Sequence, residues 1–138
     1  MLPVERFVHT EGTPDLTPDE LEALQHCSQF GRPASAGWSD KFTDAQTQAL
    51  LRGFPRGEME DKWIVYSDDL TVAGATSVYF HRSWTGSLVL KVDLQLTDAG
   101  SRCTCASWET DPAIIKGADE QYARETFLEV CRWVLRFG

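Results

Sequence analysis

The segment "SLVLKVDLQL", residues 87–96, shows the strongest pattern in the chain. Leu88, Leu90, Val92, Leu94 and Leu96 recur at every second position, with Val89, Lys91, Asp93 and Gln95 between them. Alternation of an apolar and a mostly polar side predicts an antiparallel strand with one buried and one wet face. "WIVYS" (63–67) and "SVYFHRSW" (77–84) before it, and "RCTCASWE" (102–109) after it, read as further strands. The links are short, "TDAGS" among them, so they admit hairpins but no helical crossovers. "DDLTVAG" adds a short strand or an elaborate turn. The expectation is a meander of about four strands.

Helical periods frame this meander. In "LTPDELEALQHC" Thr17 reads as an N-cap, Pro18 as the first helical residue and Glu20 as the capping-box partner. Leu16 and Leu21 are spaced as a hydrophobic staple, and Leu21, Leu24 and Cys27 follow at helical intervals. A second short helix is predicted in "TDAQTQALLRG", capped by Thr43 with Gln46 and stopped by Gly53, with Ala45, Ala49 and Leu50 on one side. Between the two, "FGRPASAGWSDKF" is rich in Gly, Pro and Ser and reads as a loop, tied to the core by Trp38 and Phe42. The last helix, "DEQYARETFLEVCRWVLRF", carries an apolar stripe of Phe127, Leu128, Cys131, Val134 and Leu135, and Glu120 is spaced to pair with Arg124. The fold expected for residues 1–138 is one α+β domain. Its antiparallel sheet would be packed on one face by the C-terminal helix and two shorter N-terminal helices.

Composition narrows the function classes. The chain has 138 residues, 42% of them hydrophobic, with no apolar run long enough to span a membrane. The N-terminus lacks the basic start and apolar run of a signal peptide, so a cytoplasmic location is expected. With 21 acidic and 13 basic residues the formal charge is −8. Such a field repels a phosphate backbone and favours a cationic partner, so neither nucleic acid nor membrane is an expected partner. A small phosphorylated ligand held by local arginines stays compatible with it.

The four cysteines, Cys27, Cys103, Cys105 and Cys131, include no CxxC pair. On a strand the C-x-C of Cys103 and Cys105 puts both sulfurs on one face. A zinc site built from these with His26 or His81 is conceivable, but four reduced thiols acting as small hydrophobes fit better. No metal and no cofactor are expected.

Candidate chemistry concentrates in "RGFPRGEMEDKW" and "YFHRSWTG". Pairing of the first two strands would bring these stretches together at one end of the sheet. The candidate ligand-binding residues are Arg56, Lys62, His81, Arg82, Ser83, Trp84 and Thr85. Arg82 offers a planar fork for carboxylate or phosphate, and Trp84 a stacking face. The competing structural reading has Arg82 paired with Glu60 or Asp61. Alternation puts Val78, Phe80, Arg82 and Trp84 on one face, so Arg82 would lie along apolar surface. The candidate partner contacts are Glu58, Glu60, Asp61, Asp68 and Asp69, with a second acidic run between Glu11 and Glu22. No nucleophile elbow, phosphate-cradling glycine loop or H-E-x-x-H motif occurs, and no catalytic residue is assigned. Glu60 or Asp61 with His81 and Arg82 would be the group to act on a phosphorylated ligand.

"FPRGEMEDKW" followed about sixteen residues later by "YFHRSWTG" resembles a paired signature of a small bacterial family of compact domains. Some members stand near ADP-ribose-handling or toxin-related modules. The blocks run from Phe54 to Gly86, about a quarter of the chain, and imply no catalytic assignment. Two functions follow as expectations. One is a non-enzymatic inhibitor, immunity or antitoxin-like protein that binds a basic protein partner. The other is an ADP-ribose- or nucleotide-binding module, with weak hydrolysis as its extension, built on the Arg82 and Trp84 region.

Overall fold

A computed structural model describes residues 30–54, 63–67, 73–82, 87–114 and 119–135. The expected sheet of about four strands under three helices does not hold. Among the described residues the chain is mainly a six-stranded antiparallel sheet with two short helices. The helix expected in "LTPDELEALQHC" lies outside the described residues.

The meander itself forms as expected: β3 (Trp63–Ser67), β4 (Ala75–Arg82), β5 (Leu88–Thr97) and β6 (Gly100–Glu109), each paired with the next. The two additional strands come from the segment read as a loop. β1 (Pro33–Ala36) and β2 (Lys41–Thr43) both pair with the outer side of β6, in registers Pro33↔Glu109 to Ala36↔Ala106 and Lys41↔Arg102 to Thr43↔Gly100. A strand rich in Pro and Ser is tolerated there because Pro33 opens an edge strand, where its missing N–H interrupts no central ladder. Between β1 and β2 the chain detours, Trp38 turns inward, and the Asp40 carbonyl accepts from the Cys103 N–H at 2.8 Å. Trp38 and Phe42 do tie this segment to the core, each 8% exposed.

Helix α1 (Asp44–Arg52) carries the predicted capping box. The Gln46 N–H donates to Thr43 Oγ1 at 3.2 Å and the Thr43 N–H donates to Gln46 Oε1 at 3.0 Å. Gly53 ends it at φ 67°, a left-handed conformation that suits glycine. The buried side is Thr47, Ala49, Leu50 and Leu51, whereas Ala45 is exposed. Thr47 takes an inward place because its hydroxyl meets that of Ser101 on β6 at 2.7 Å.

Helix α2 (Glu120–Glu129) is capped by Asp119, whose carboxylate accepts the Tyr122 N–H at 2.8 Å. It continues into a π-helical turn (Val130–Val134), closed by the Leu135 N–H donating to the Val130 carbonyl at 2.9 Å. The buried arc is Ala123, Phe127, Val130, Cys131 and Leu135. Leu128, expected in the stripe, lies beside this arc and is 51% exposed; the Val134 side chain lies outside the described residues. Phe127 is the centre of the core, with the rings of Trp38, Phe42 and Phe80 at 5.8, 5.9 and 5.8 Å. Burying a ring of this size in such contacts stabilises the fold by about 3–5 kcal/mol against alanine.

Two bulges alter the faces that strict alternation assigns. Between β4 and β5, Phe80 pairs with Leu90 but His81 with Leu88, so Val89 is an extra residue that joins the core cluster while Leu88 does not. Between β5 and β6, Leu94 pairs with Cys103 and Asp93 with Cys105, leaving Thr104 as the extra residue. Cys103 therefore faces the core and Cys105 the opposite side. The expected same-face C-x-C pair does not form.

Candidate functional site

Pairing of β3 with β4 sets Trp63 opposite Arg82 and Ile64 opposite His81. The two sequence blocks thus enter the sheet side by side, as the hairpin argument requires. Arg82 is on the core side with Val78 and Phe80. Its guanidinium carbon lies 4.6 Å from the centroid of the Trp63 ring, and its Nη2 donates to the Tyr122 hydroxyl of α2 at 3.1 Å. The half-buried cation therefore stands over an indole and is braced by a phenol, a combination that a guanidinium with several donors serves better than a lysine ammonium.

His81 is the next residue but belongs to the other face. It is fully buried, stacked at 5.5 Å on Tyr66, which itself stacks at 4.8 Å on Tyr79. His81 and Arg82 do not share one surface, so a single small ligand cannot be gripped by both without the sheet between them opening. Of the remaining candidates, Arg56, Glu58, Glu60, Asp61, Lys62, Asp68, Asp69, Ser83, Trp84 and Thr85 lie outside the described residues. So do His9, His26, Cys27 and the acidic run from Glu11 to Glu22.

Two charged arrangements were not foreseen. Arg124 closes on Asp40, with Nη1 donating to Oδ1 at 2.7 Å and Nη2 to Oδ2 at 2.5 Å, and its guanidinium carbon is 4.8 Å from the Trp38 ring centroid. The side-chain hydrogen bond to Asp40 raises the Arg124 pKa further, against the cost of burial. Helical spacing suggested Glu120 as its partner, and the acceptor 84 positions away left no local signal. The second arrangement is Glu109 at the end of β6. Its 1%-exposed carboxylate accepts the N–H groups of Gly31 (2.7 Å), Arg32 (2.8 Å), Thr110 (3.1 Å) and Asp111 (3.3 Å). Burial alone would raise its pKa, but the N–H groups of Arg32, Gly31, Asp111 and Thr110 outweigh that and hold it below the ordinary 4.5.

Two of the described thiols, Cys103 and Cys131, are chemically quiet. Burial pushes Cys103 up to about 11, against a smaller lowering by hydrogen bonding with the Cys105 backbone. Burial, reinforced by the negative charge of Asp40, also raises Cys131. Both are protonated at neutral pH and so are poor nucleophiles and poor metal ligands. Among the described residues no three His, Cys, Asp or Glu side chains gather as a ligand set, and no helix is long and apolar enough to cross a membrane.

Two open grooves, each of about 480 Å³, flank the Asp40–Arg124 pair. One runs between β2 and α2 over Phe42, Phe127, Leu128 and Cys131; the other lies by Trp38, Glu120 and Gln121. Comparison with protein-family models, with curated proteins and with solved structures found no match to this chain, so the paired blocks stand as a resemblance of sequence alone.

Proposed function

We propose that this chain is a small acidic cytoplasmic interaction protein that binds a basic partner protein, as an inhibitor or immunity protein does, without catalysis of its own. The observation that carries the reading is the employment of Arg82. The guanidinium that the sequence offers for carboxylate or phosphate at the second block lies against Trp63 and Tyr122. Its role is thereby structural, while the formal charge of −8 supplies long-range attraction for cationic surfaces. A cleft-bearing basic protein, such as a toxin that handles nucleotides or nucleic acid, is the kind of partner such a field steers in. The test is a titration of the purified chain against the product of the adjacent gene, at low and high salt. The expected result is an association rate that falls steeply with ionic strength. A partner that is acidic, or binding indifferent to salt, would overturn the proposal.

A second reading has one observation in its favour. Arg82, Trp63 and Tyr122 bring a cation, an aromatic ring and a hydroxyl together, the group types that a nucleotide or ADP-ribose site uses. Thermal shift against ADP-ribose, NAD and nucleoside diphosphates distinguishes it. A stabilisation lost in a folded Arg82→Ala variant supports a phosphorylated ligand, and no shift with any of them removes that reading.

A further inference from the structure

The edge of the sheet at β2 carries backbone groups and a charge that the fold does not use. The Cys103 N–H donates to the Asp40 carbonyl at 2.8 Å, and two residues on Phe42 is in register with Ser101. In an antiparallel pair those positions turn their hydrogen bonds inward, so Lys41 between them turns its N–H and C=O away from β6. Among the described residues neither group finds a hydrogen-bond partner, and Lys41 is exposed. Lys41 also stands directly opposite Arg102, at the closely spaced, non-hydrogen-bonded kind of position. The ion pairs Lys91–Asp93 and Arg124–Asp40 leave both of these cations out, and among the described residues neither has a carboxylate partner. Like charges directly opposite destabilise a ladder, so this row lacks an anion. On the other face of β2, Phe42 borders the groove of about 480 Å³, which runs over Phe127 and Cys131 to Leu128, 51% exposed. Of the other charged groups lining it, Asp40 is matched by Arg124, and Arg132 has an interaction of its own.

We propose that β2 takes one extended peptide segment along its outer edge, with an acidic residue opposite Lys41 and an apolar residue on either side of it. The acidic residue exchanges both backbone hydrogen bonds with Lys41, and its carboxylate lies on the face that carries Lys41 and Arg102. Strand alternation sends its two neighbours to the face of Phe42, where the groove and Leu128 receive an apolar side chain. Backbone pairing supplies affinity in such an addition, and alternate side chains supply specificity. A basic residue opposite Lys41 would be a third cation in one row, whereas a carboxylate there gives Lys41 the opposite-charge neighbour that Arg102 is not. The three residues of β2 limit the addition to a single short segment. This site goes beyond the reading of the chain as a binder of a basic protein: its occupant is locally acidic, and it does not draw on the long-range field.

The test uses the full chain, isotopically labelled, titrated with end-blocked Thr-Leu-Glu-Leu-Thr and with Thr-Leu-Lys-Leu-Thr. The glutamate peptide is expected to shift the amide signals of Lys41, Phe42, Leu128 and Cys131 saturably and to slow hydrogen exchange of the Lys41 amide. The lysine peptide is expected to bind about three- to tenfold more weakly, the difference between an opposite and a like cross-strand charge. Lys41→Glu, at an exposed position, inverts that order, and Leu128→Ser weakens both peptides. Equal binding of the two peptides, an order that Lys41→Glu leaves unchanged, a neutral Leu128→Ser or an unprotected Lys41 amide would overturn the assignment. So would saturable shifts confined to another surface, or no saturable shift at all. None of these outcomes touches the basic-partner reading, which the salt dependence of the partner titration decides.

Discussion

Trp63 and Arg82 are register partners on adjacent strands, and the guanidinium of one covers the indole of the other at 4.6 Å. The contact joins the end of the first sequence block to the middle of the second, and through Tyr122 it also ties in the first turn of α2. Arg82→Ala is expected to lower unfolding free energy by about 1–2 kcal/mol, from a partly desolvated cation–π contact and one hydrogen bond. Arg82→Lys recovers only part of this, because an ammonium lacks the guanidinium's fork of donors. Equilibrium urea denaturation of the two variants measures the difference. Equal stability of Ala and Lys variants would count against the stack as the source.

Glu109 makes stability depend on acid. Its folded-state pKa lies below the ordinary 4.5. Its contribution is therefore complete at pH above that unfolded value and is lost as pH falls through the lower folded one. Glu109→Gln, which removes the charge and turns one acceptor into a donor among crowded N–H groups, is expected to cost about 1–3 kcal/mol at neutral pH. The gap between wild type and variant should narrow as the solution is acidified. A gap constant with pH would show that the carboxylate charge is not what holds Gly31 and Arg32.

Gly100 has no tolerance for a side chain. Its φ of 149° and the approach of the Phe42 carbonyl, where a Cβ would sit at 1.9 Å, close the position from both the torsional and the steric side. Gly100→Ala is expected to destabilise by upwards of about 3 kcal/mol. Gly37→Ala, where a Cβ would meet nothing within 4 Å, is expected to stay within about 0.5 kcal/mol of wild type. Thermal unfolding of both variants is sufficient, and similar losses at the two sites would contradict the packing of β2 against the start of β6.

Asp40 and Arg124 form a bidentate pair whose side chains are 24% and 38% exposed. Solvent screening keeps such a pair modest, so the double-mutant cycle Asp40→Asn, Arg124→Gln is expected to give a coupling of about 0.5–1 kcal/mol, weakening with salt. Zero coupling at low salt would mean that packing of the side chain on Trp38, not charge, positions this end of α2.

Much of this fold can be read along the chain where local chemistry decides. The ladder from Leu90 to Leu96 shows its core face through period two, and α1 shows its start through the Thr43–Gln46 exchange. What stays hidden depends on distant partners. β1 and β2 look like loop because Pro, Ser and Gly dominate them, and they become strands only because β6 offers an unpaired side. Cys103 and Cys105 look like a same-face pair until Thr104 is inserted by a bulge that their spacing does not announce. The candidate site is legible to the same degree. Pairing of Trp63 with Arg82 follows from hairpin topology, and Arg82 on apolar surface follows from alternation. Among the described residues its partners are Trp63 and Tyr122, and the second of these, forty positions away, gave no local signal. Glu109 and Asp40 gave no signal, since the donors with the shortest bonds to them, on Gly31, Arg32 and Arg124, are nearly eighty or more positions away.

The detour at Trp38 also bears on how these molecules behave at high concentration. An uncovered β6 would offer ten residues of unpaired backbone, a template on which further chains could add indefinitely. Covering it with two fragments of four and three residues, separated by an inward-turned tryptophan, leaves an outer margin too short and too broken to seed a fibril. The interruption that made this segment look like mere connection is thus what blunts the β6 side of the sheet.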